Sequence, residues 1–237
     1  MASPMRRHGV GALRRLRLRL FSPLALSKPL EARTAYELWA ATYPAVAHNP
    51  LMQVEQQIVE PLLRRLRAAR ALDVGTGSGR YVPVLQATGA RIVGLDFSMA
   101  MLARGAGPAR VCGDACRLPF PARAFDLVNA SLMVGDVKDL AGWTREMARV
   151  LAVGGHLVYS DFHPAWTRHG WKRTFRDADG ALHRIALQPH AMEDHLAALA
   201  RAGLQVAAIR EPRLNVRPSR APVVVVFHAV KDGCRPE

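Results

Sequence analysis

From Arg70 onward the chain alternates short apolar runs with segments of helical length: RALDV (70–74), RIVGLD (91–96), ARVCGD (109–114), FDLVNA (125–130) and GHLVYSDF (155–162). Runs this short and aliphatic read as strands buried on both faces. Strands separated by helices imply right-handed crossovers, and hence a mostly parallel sheet with helices packed on either side. Such a sheet offers ligands the carboxyl ends of its strands, near the point where strand order reverses. The fold class is α/β, and the chemistry should be sought at those ends.

Upstream, AYELWAATYPAVAHNPLMQVEQQIVEPLLRRLRAAR (35–70) begins with spaced aromatics, then offers Asn49 as a helix N-cap and Pro50 as a first helical residue. Val54, Ile58, Leu62 and Leu66 form the expected buried stripe, and Pro61 should kink or divide the helix. Downstream, KRTFRDADGALHRIAL (172–187) reads as a hairpin about a DADG turn, within an insertion spanning 163–189. A helix ended by Gly203 and two further strands, LQVAAIRE and APVVVVFHAV, complete the pattern.

The stretch LDVGTGSGRY (72–81) has glycines at 75, 77 and 79. The dinucleotide fingerprint G-x-G-x-x-G would need glycine where Arg80 stands, and the Gly-Lys-Ser/Thr ending of a phosphate loop is missing. What remains is a tight strand-to-helix turn that lets a ligand approach the backbone, with the Asp73 carboxylate beside it, better suited to a cationic amino-acid moiety than to an anion. Asp96 ends the second strand 17 residues after Gly79, where a carboxylate can take both hydroxyls of a ribose. Asp114 ends the third, placed to accept from an adenine amino group. Together they describe an adenosine without phosphates.

LDVGTGSGRY, GLDFSMAML, GDACRLPFPARAFDLV and REMARVLAVGGHLVYSD, in this order, resemble the motifs of class I S-adenosylmethionine-dependent methyltransferases over roughly residues 36–230. The pattern is most similar to the small-molecule branch that includes ubiquinone, menaquinone and malonyl-carrier-protein methyltransferases. The resemblance implies a Rossmann-like sheet of seven strands, the last antiparallel, and S-adenosyl-L-methionine as cofactor. It implies that Gly75, Thr76, Gly77 and Gly79 form the cofactor loop, that Asp96 is the ribose ligand, and that Asp114 and Ala115 contact adenine. Phe97, Ser98 and Met101 would line the adenosine pocket, and Asp73 would bind the methionine amino group or hold the loop. Asp126 would be a structural carboxylate, and Val153 departs from the proline that commonly precedes the paired glycines.

The acceptor should lie among residues the common motifs leave unexplained. By resemblance, Tyr36, Trp39, Tyr43 and His48 belong to a lid over the cofactor, with Tyr43 the best cofactor-facing candidate. His163, after the fifth strand, and His48 are candidate general bases, since a free imidazole takes a proton near neutral pH. His190 and His195 read as caps or surface residues, and no cluster of ligands proposes a metal. The expected activity is methyl transfer to oxygen or carbon of a small, partly apolar metabolite. The rivals are a cofactor-binding or assembly protein without turnover, an RNA or protein methyltransferase, and a nicotinamide-dependent oxidoreductase, which the glycine spacing disfavours.

The net charge of +14 is uneven: residues 1–30 hold Arg6, Arg7, Arg14, Arg15, Arg17, Arg19 and Lys28 and no acid. Such an arm reads as a disordered basic extension, with a mitochondrial presequence, a segment that touches a membrane surface or an acidic partner, and a nucleic-acid contact as the alternatives. NASL (129–132) stands where amino-methylating DNA enzymes of this fold carry Asn/Asp-Pro-Pro-Tyr/Phe, which argues against nucleic acid as the substrate. Three cysteines fit a reducing compartment, with Cys112 and Cys116 expected buried beside a strand. Apolar runs fall short of the ~20 residues that cross a bilayer, so a cytoplasmic location is expected. The expected organisation is an arm (1–30), a helical lid (31–70), a cofactor-binding domain (71–231) and a tail (232–237).

Overall fold

The computed structural model describes residues 28–105, 107, 109–165, 169–214 and 221–233; most of the basic arm and Cys234 lie outside them. Five strands, β1 Arg70–Val74, β2 Arg91–Asp96, β3 Ala109–Cys112, β4 Phe125–Ser131 and β5 Leu151–Phe162, lie parallel to one another. Later in the chain β8 Leu204–Arg210 and β9 Val224–Lys231 complete a seven-stranded sheet of order β3-β2-β1-β4-β5-β9-β8. β9 is antiparallel to both β5 and β8, so it alone reverses direction. The order switches between β1 and β4, which puts the carboxyl ends of β1, β2 and β4 around one cleft.

Apolar residues on the two sides of each strand face separate cores. One side packs Leu72, Val128 and Leu157 with Trp143 and Met147 of α5 (Leu140–Val150) and Leu199 of α6 (Met192–Arg201). The other packs Ala71, Leu127 and Val158 with Val59 and Leu63 of α2 (Pro50–Arg65) and Leu85 of α3 (Val82–Gln86). The remaining helices are α1 (Ala32–Trp39) and α4 (Met99–Arg104). The expected hairpin forms as β6 (Arg173–Arg176) and β7 (Leu182–Ile185), and Leu30 adds a parallel bridge to Ile185. α1 and the hairpin share a small cluster of Ala35, Phe175 and Ile185 with Leu30 and Trp39.

Several expectations are corrected. Asn49 caps α2, accepting from the Met52 amide at 2.9 Å, but the helix runs undivided through Pro61. Its buried face is Met52, Glu55, Val59 and Leu63, one position along from the expected stripe, and Val54, Ile58, Leu62 and Leu66 are only partly buried. Cys112 is exposed because β3 is an edge strand open to solvent, and Cys116 is half-buried. His195 is neither a cap nor a surface residue: α6 presses it into the core, where its Nδ1 lies 3.2 Å from the Tyr159 hydroxyl.

Candidate active site

The glycine turn closes the end of β1. Gly75 and Gly77 have φ of +67° and +55°, and a Cβ there would meet Met133 at 2.8 Å and Met101 at 3.0 Å. Bare backbone therefore faces a cavity lined by both glycines, Thr76, Ser78, Asp73 and Asp96. Asp73 is buried and holds the turn, its Oδ2 accepting from the Thr76 hydroxyl and its Oδ1 from Asn129 Nδ2, both at 2.7 Å. Burial pushes its carboxyl up to about 6, against the lowering effect of those two bonds. Asp96, at the end of β2, accepts from the Gly77 amide and the Ser98 amide at 2.9 Å each, and burial raises it too. Ser98 is fully buried as the N-cap of α4, accepting from the Met101 amide.

Phe97, Met101 and Tyr43 line the same cavity, and burial raises the Tyr43 phenol. Gly79 belongs to the turn without lining the cavity. Asp114 and Ala115 also do not line it: Asp114 is exposed, and its Oδ1 accepts from the Cys116 amide at 2.8 Å. Ser78 went unmarked by sequence. The residue lines the cavity, and its hydroxyl is buried with no hydrogen-bond partner among the described residues.

Beyond the turn the cavity becomes aromatic and aliphatic, with Trp39, Leu51, Leu132, Met133, Phe162 and Ile185 in its walls. Here sits a buried cluster that sequence reading missed. Arg173 Nη1 donates to Asp136 Oδ1 at 2.6 Å, Nη2 donates to the Tyr36 hydroxyl at 2.8 Å, and the guanidinium lies 4.8 Å from the Phe162 ring centroid. Burial raises the Asp136 carboxyl, opposed by Arg173, and burial drives the Tyr36 phenol well above its ordinary value. These residues come from α1, the 3₁₀ turn Val134–Asp136 and β6, so no local pattern announces them.

The two histidines marked as bases are not brought into the cavity wall. His163 has both ring nitrogens engaged: Nδ1 accepts from the Ala165 amide at 3.0 Å, and Nε2 lies 2.8 Å from Glu211 Oε1. His48 meets Trp39 and Tyr43 edge to face, with Nδ1 3.2 Å from the Val46 carbonyl. Asp126 binds the Ala69 and Arg70 amides at the opposite end of the sheet.

A seven-stranded sheet with one reversed strand, a glycine turn after β1 and an acid at the end of β2 defines a Rossmann-like α/β protein. Residues 72–159 match the family model described as a methyltransferase domain. The chain is 34% identical over 149 residues to the biotin biosynthesis bifunctional protein BioHC of Cellvibrio japonicus, covering 61% of this chain and 29% of that one. It is 42% identical over 97 residues to the demethylmenaquinone methyltransferase of Mycolicibacterium gilvum, covering 40% of this chain and 42% of that one. It thus spans under half the length of these relatives. An S-adenosylmethionine-dependent methyltransferase structure from Mesorhizobium loti superposes with a TM-score of 0.62 at 25% identity, covering 75% of this chain and 97% of that one. The match over residues 72–159 and the shared fold make the chain similar to class I S-adenosylmethionine-dependent methyltransferases.

Proposed function

We propose that the protein binds S-adenosylmethionine against the turn at 75–79 and moves its methyl group to oxygen or carbon of a small, partly apolar metabolite held by the aromatic half of the cavity. The carrying observation is one cavity with two chemistries: bare backbone and two carboxylates at one end, and apolar walls around Arg173–Asp136–Tyr36 at the other. The names of the relatives, a demethylmenaquinone methyltransferase and a biotin biosynthesis protein, support an acceptor of metabolite size.

The first half suits the cofactor. A Cβ at Gly75 or Gly77 would fill the cradle, Asp73 offers negative charge to a cationic amino-acid moiety, and Asp96 stands where ribose hydroxyls are taken. Asp114 and Ala115 remain the proposed adenine contacts. When bound, the cofactor supplies an activated methyl on a sulfonium, so the protein's tasks are alignment and exclusion of water. Trp39, Tyr43 and Phe162 exclude water, and aromatic faces favour a cation nearby. Arg173, Asp136 and Tyr36 orient an acceptor oxygen and hold its proton, and this dry cluster, rather than His163 or His48, is the proposed proton-handling group.

Calorimetry with S-adenosylmethionine, paired with a labelled-methyl acceptor screen, tests the reading. Asp96→Ala should abolish saturable binding. Asp136→Asn should keep binding while lowering turnover at least about 100-fold, the scale of a lost general base. Wild-type turnover in Asp136→Asn would reject the acceptor-side assignment, and binding without turnover of any acceptor would favour a non-catalytic cofactor binder.

A further inference from the structure

At the far end of the sheet from the cavity, two histidines on neighbouring strands face each other. His156, near the start of the parallel run of β5, and His228 of antiparallel β9 place Nδ1 and Nε2 3.1 Å apart. Both rings are half-buried, on the sheet face that also carries Val158 and Val226. The methyl-transfer reading uses neither residue.

We propose that His156 and His228 form a two-histidine clip for a borderline divalent transition metal, of the zinc, nickel or copper type, that staples β5 to the reversed strand β9. Imidazole nitrogens sit ~2.0–2.1 Å from such ions, so two nitrogens 3.1 Å apart subtend about 100° at a shared ion, close to the tetrahedral or square-planar angle. The ion displaces the proton that the two rings otherwise share, and each ring turns by up to about 40° so that its lone pair leaves the N···N axis and converges on the ion. Among the described residues no third His, Cys, Asp or Glu joins them, so water completes the coordination.

The groove beside His156 also carries Arg64, Arg67 and Asp126. Glu60 pairs with Arg64 at 2.7 Å, while Asp126 is occupied by the Ala69 and Arg70 amides. Two nitrogen ligands suit calcium or magnesium poorly, since these need six or more oxygens, while Arg64 and Arg67 oppose any divalent cation and lower the affinity expected. The selection is for nitrogen-seeking metals, and the ion is structural because the cavity lies at the opposite end of the strands.

Titration of the full chain with ZnCl2, and separately with CuCl2 followed by electron paramagnetic resonance, tests the clip. One zinc per chain is expected to raise the melting temperature, and copper should show coupling to two imidazole nitrogens. His228→Asn and His156→Asn should each weaken zinc binding at least tenfold and reduce the copper signal to one such nitrogen. His183→Asn, at a half-buried histidine–aspartate pair on the hairpin, should change neither. Because each substitution also removes a packed ring, near-ultraviolet circular dichroism of each variant must match the parent before its titration counts. No saturable zinc binding by the parent, or zinc affinity unchanged in folded His156→Asn and His228→Asn, overturns the proposal.

Discussion

Leu132 shows at the scale of a residue how the site is held. It sits at the carboxyl end of β4, in the cavity wall, with φ of +56°, where a side chain meets its own backbone. Its amide donates to the Ser160 hydroxyl at 2.9 Å, which pins the turn in this conformation. Leu132→Gly and Leu132→Ala lose nearly the same contacts, yet only glycine relaxes the left-handed backbone. Leu132→Gly should therefore be the more stable of the two by about 1 kcal/mol in urea unfolding; an equal or reversed order would mean that the strain is absent. Asp73 gives a second prediction. Its carboxyl is raised to about 6 in the fold and returns to the ordinary range on unfolding. A raised folded value means that its contribution is fully present below the unfolded pKa and is lost as pH rises, here between about 4 and 6. Thermal melts across that interval should fall with pH in the parent and more weakly in Asp73→Asn. A cationic ligand favours the ionised form, so S-adenosylmethionine should bind more tightly at pH 7.5 than at pH 5 in calorimetry, and an affinity independent of pH would count against contact with Asp73.

The element that best separates what sequence reveals from what it conceals is α2. Asn49 and Pro50 marked its start because capping is local chemistry, written within four residues. Its buried face escaped because that face contains a glutamate. Glu55 is fully buried, and its carboxylate accepts from Arg80 Nη1 at 2.8 Å, the Tyr81 hydroxyl at 2.7 Å and the Ser160 hydroxyl at 2.8 Å. A reading that equates buried with apolar slides to the neighbouring column, Val54 and Ile58. The same limit hid Arg173–Asp136, whose partners are 37 residues apart and whose pairing exists only once the hairpin is in place. Strands β1 and β2, buried on both faces, were by contrast legible to the residue. The Glu55 network ties α2 to the start of α3 and to β5, and through Ser160 to Leu132. Glu55→Ala leaves the Arg80 guanidinium, itself largely buried, without its counter-charge, and should cost about 3–5 kcal/mol in denaturant unfolding. Glu55→Gln keeps the hydrogen-bonding shape and should cost less; equal losses would show that packing, not charge, sets the role of Glu55.

In the whole molecule, two cores grip the sheet from either side, and a third, much smaller cluster stands apart from both. The large cores explain why the fold is readable: their apolar residues repeat along each strand. The small one joins α1 to the hairpin through Ala35, Phe175, Ile185, Leu30 and Trp39, residues far apart in the chain with no shared period. Its ties to the body are largely polar, cation–ring or edge-on, among them the Arg173–Asp136 pair, Arg173 over Phe162, Arg33 over Phe97, the Lys138–Glu31 pair, the Gln188 amide on the Gly135 carbonyl at 2.8 Å and Tyr36 edge-on to Phe97 at 6.1 Å. A unit with so little apolar burial should open at far lower cost than the sheet, and this one covers the cavity. Amides of Ala35–Trp39 and Arg173–Arg176 are therefore expected to exchange with deuterium at least about 100-fold faster than those of β1 and β4. S-adenosylmethionine should slow the first set in proportion to its binding energy and leave the second nearly unchanged, because a ligand protects what must close over it. If the lid amides instead exchange as slowly as those of β4 in the free protein, α1 and the hairpin belong to the cooperative core, and substrates must reach the cavity without the lid opening.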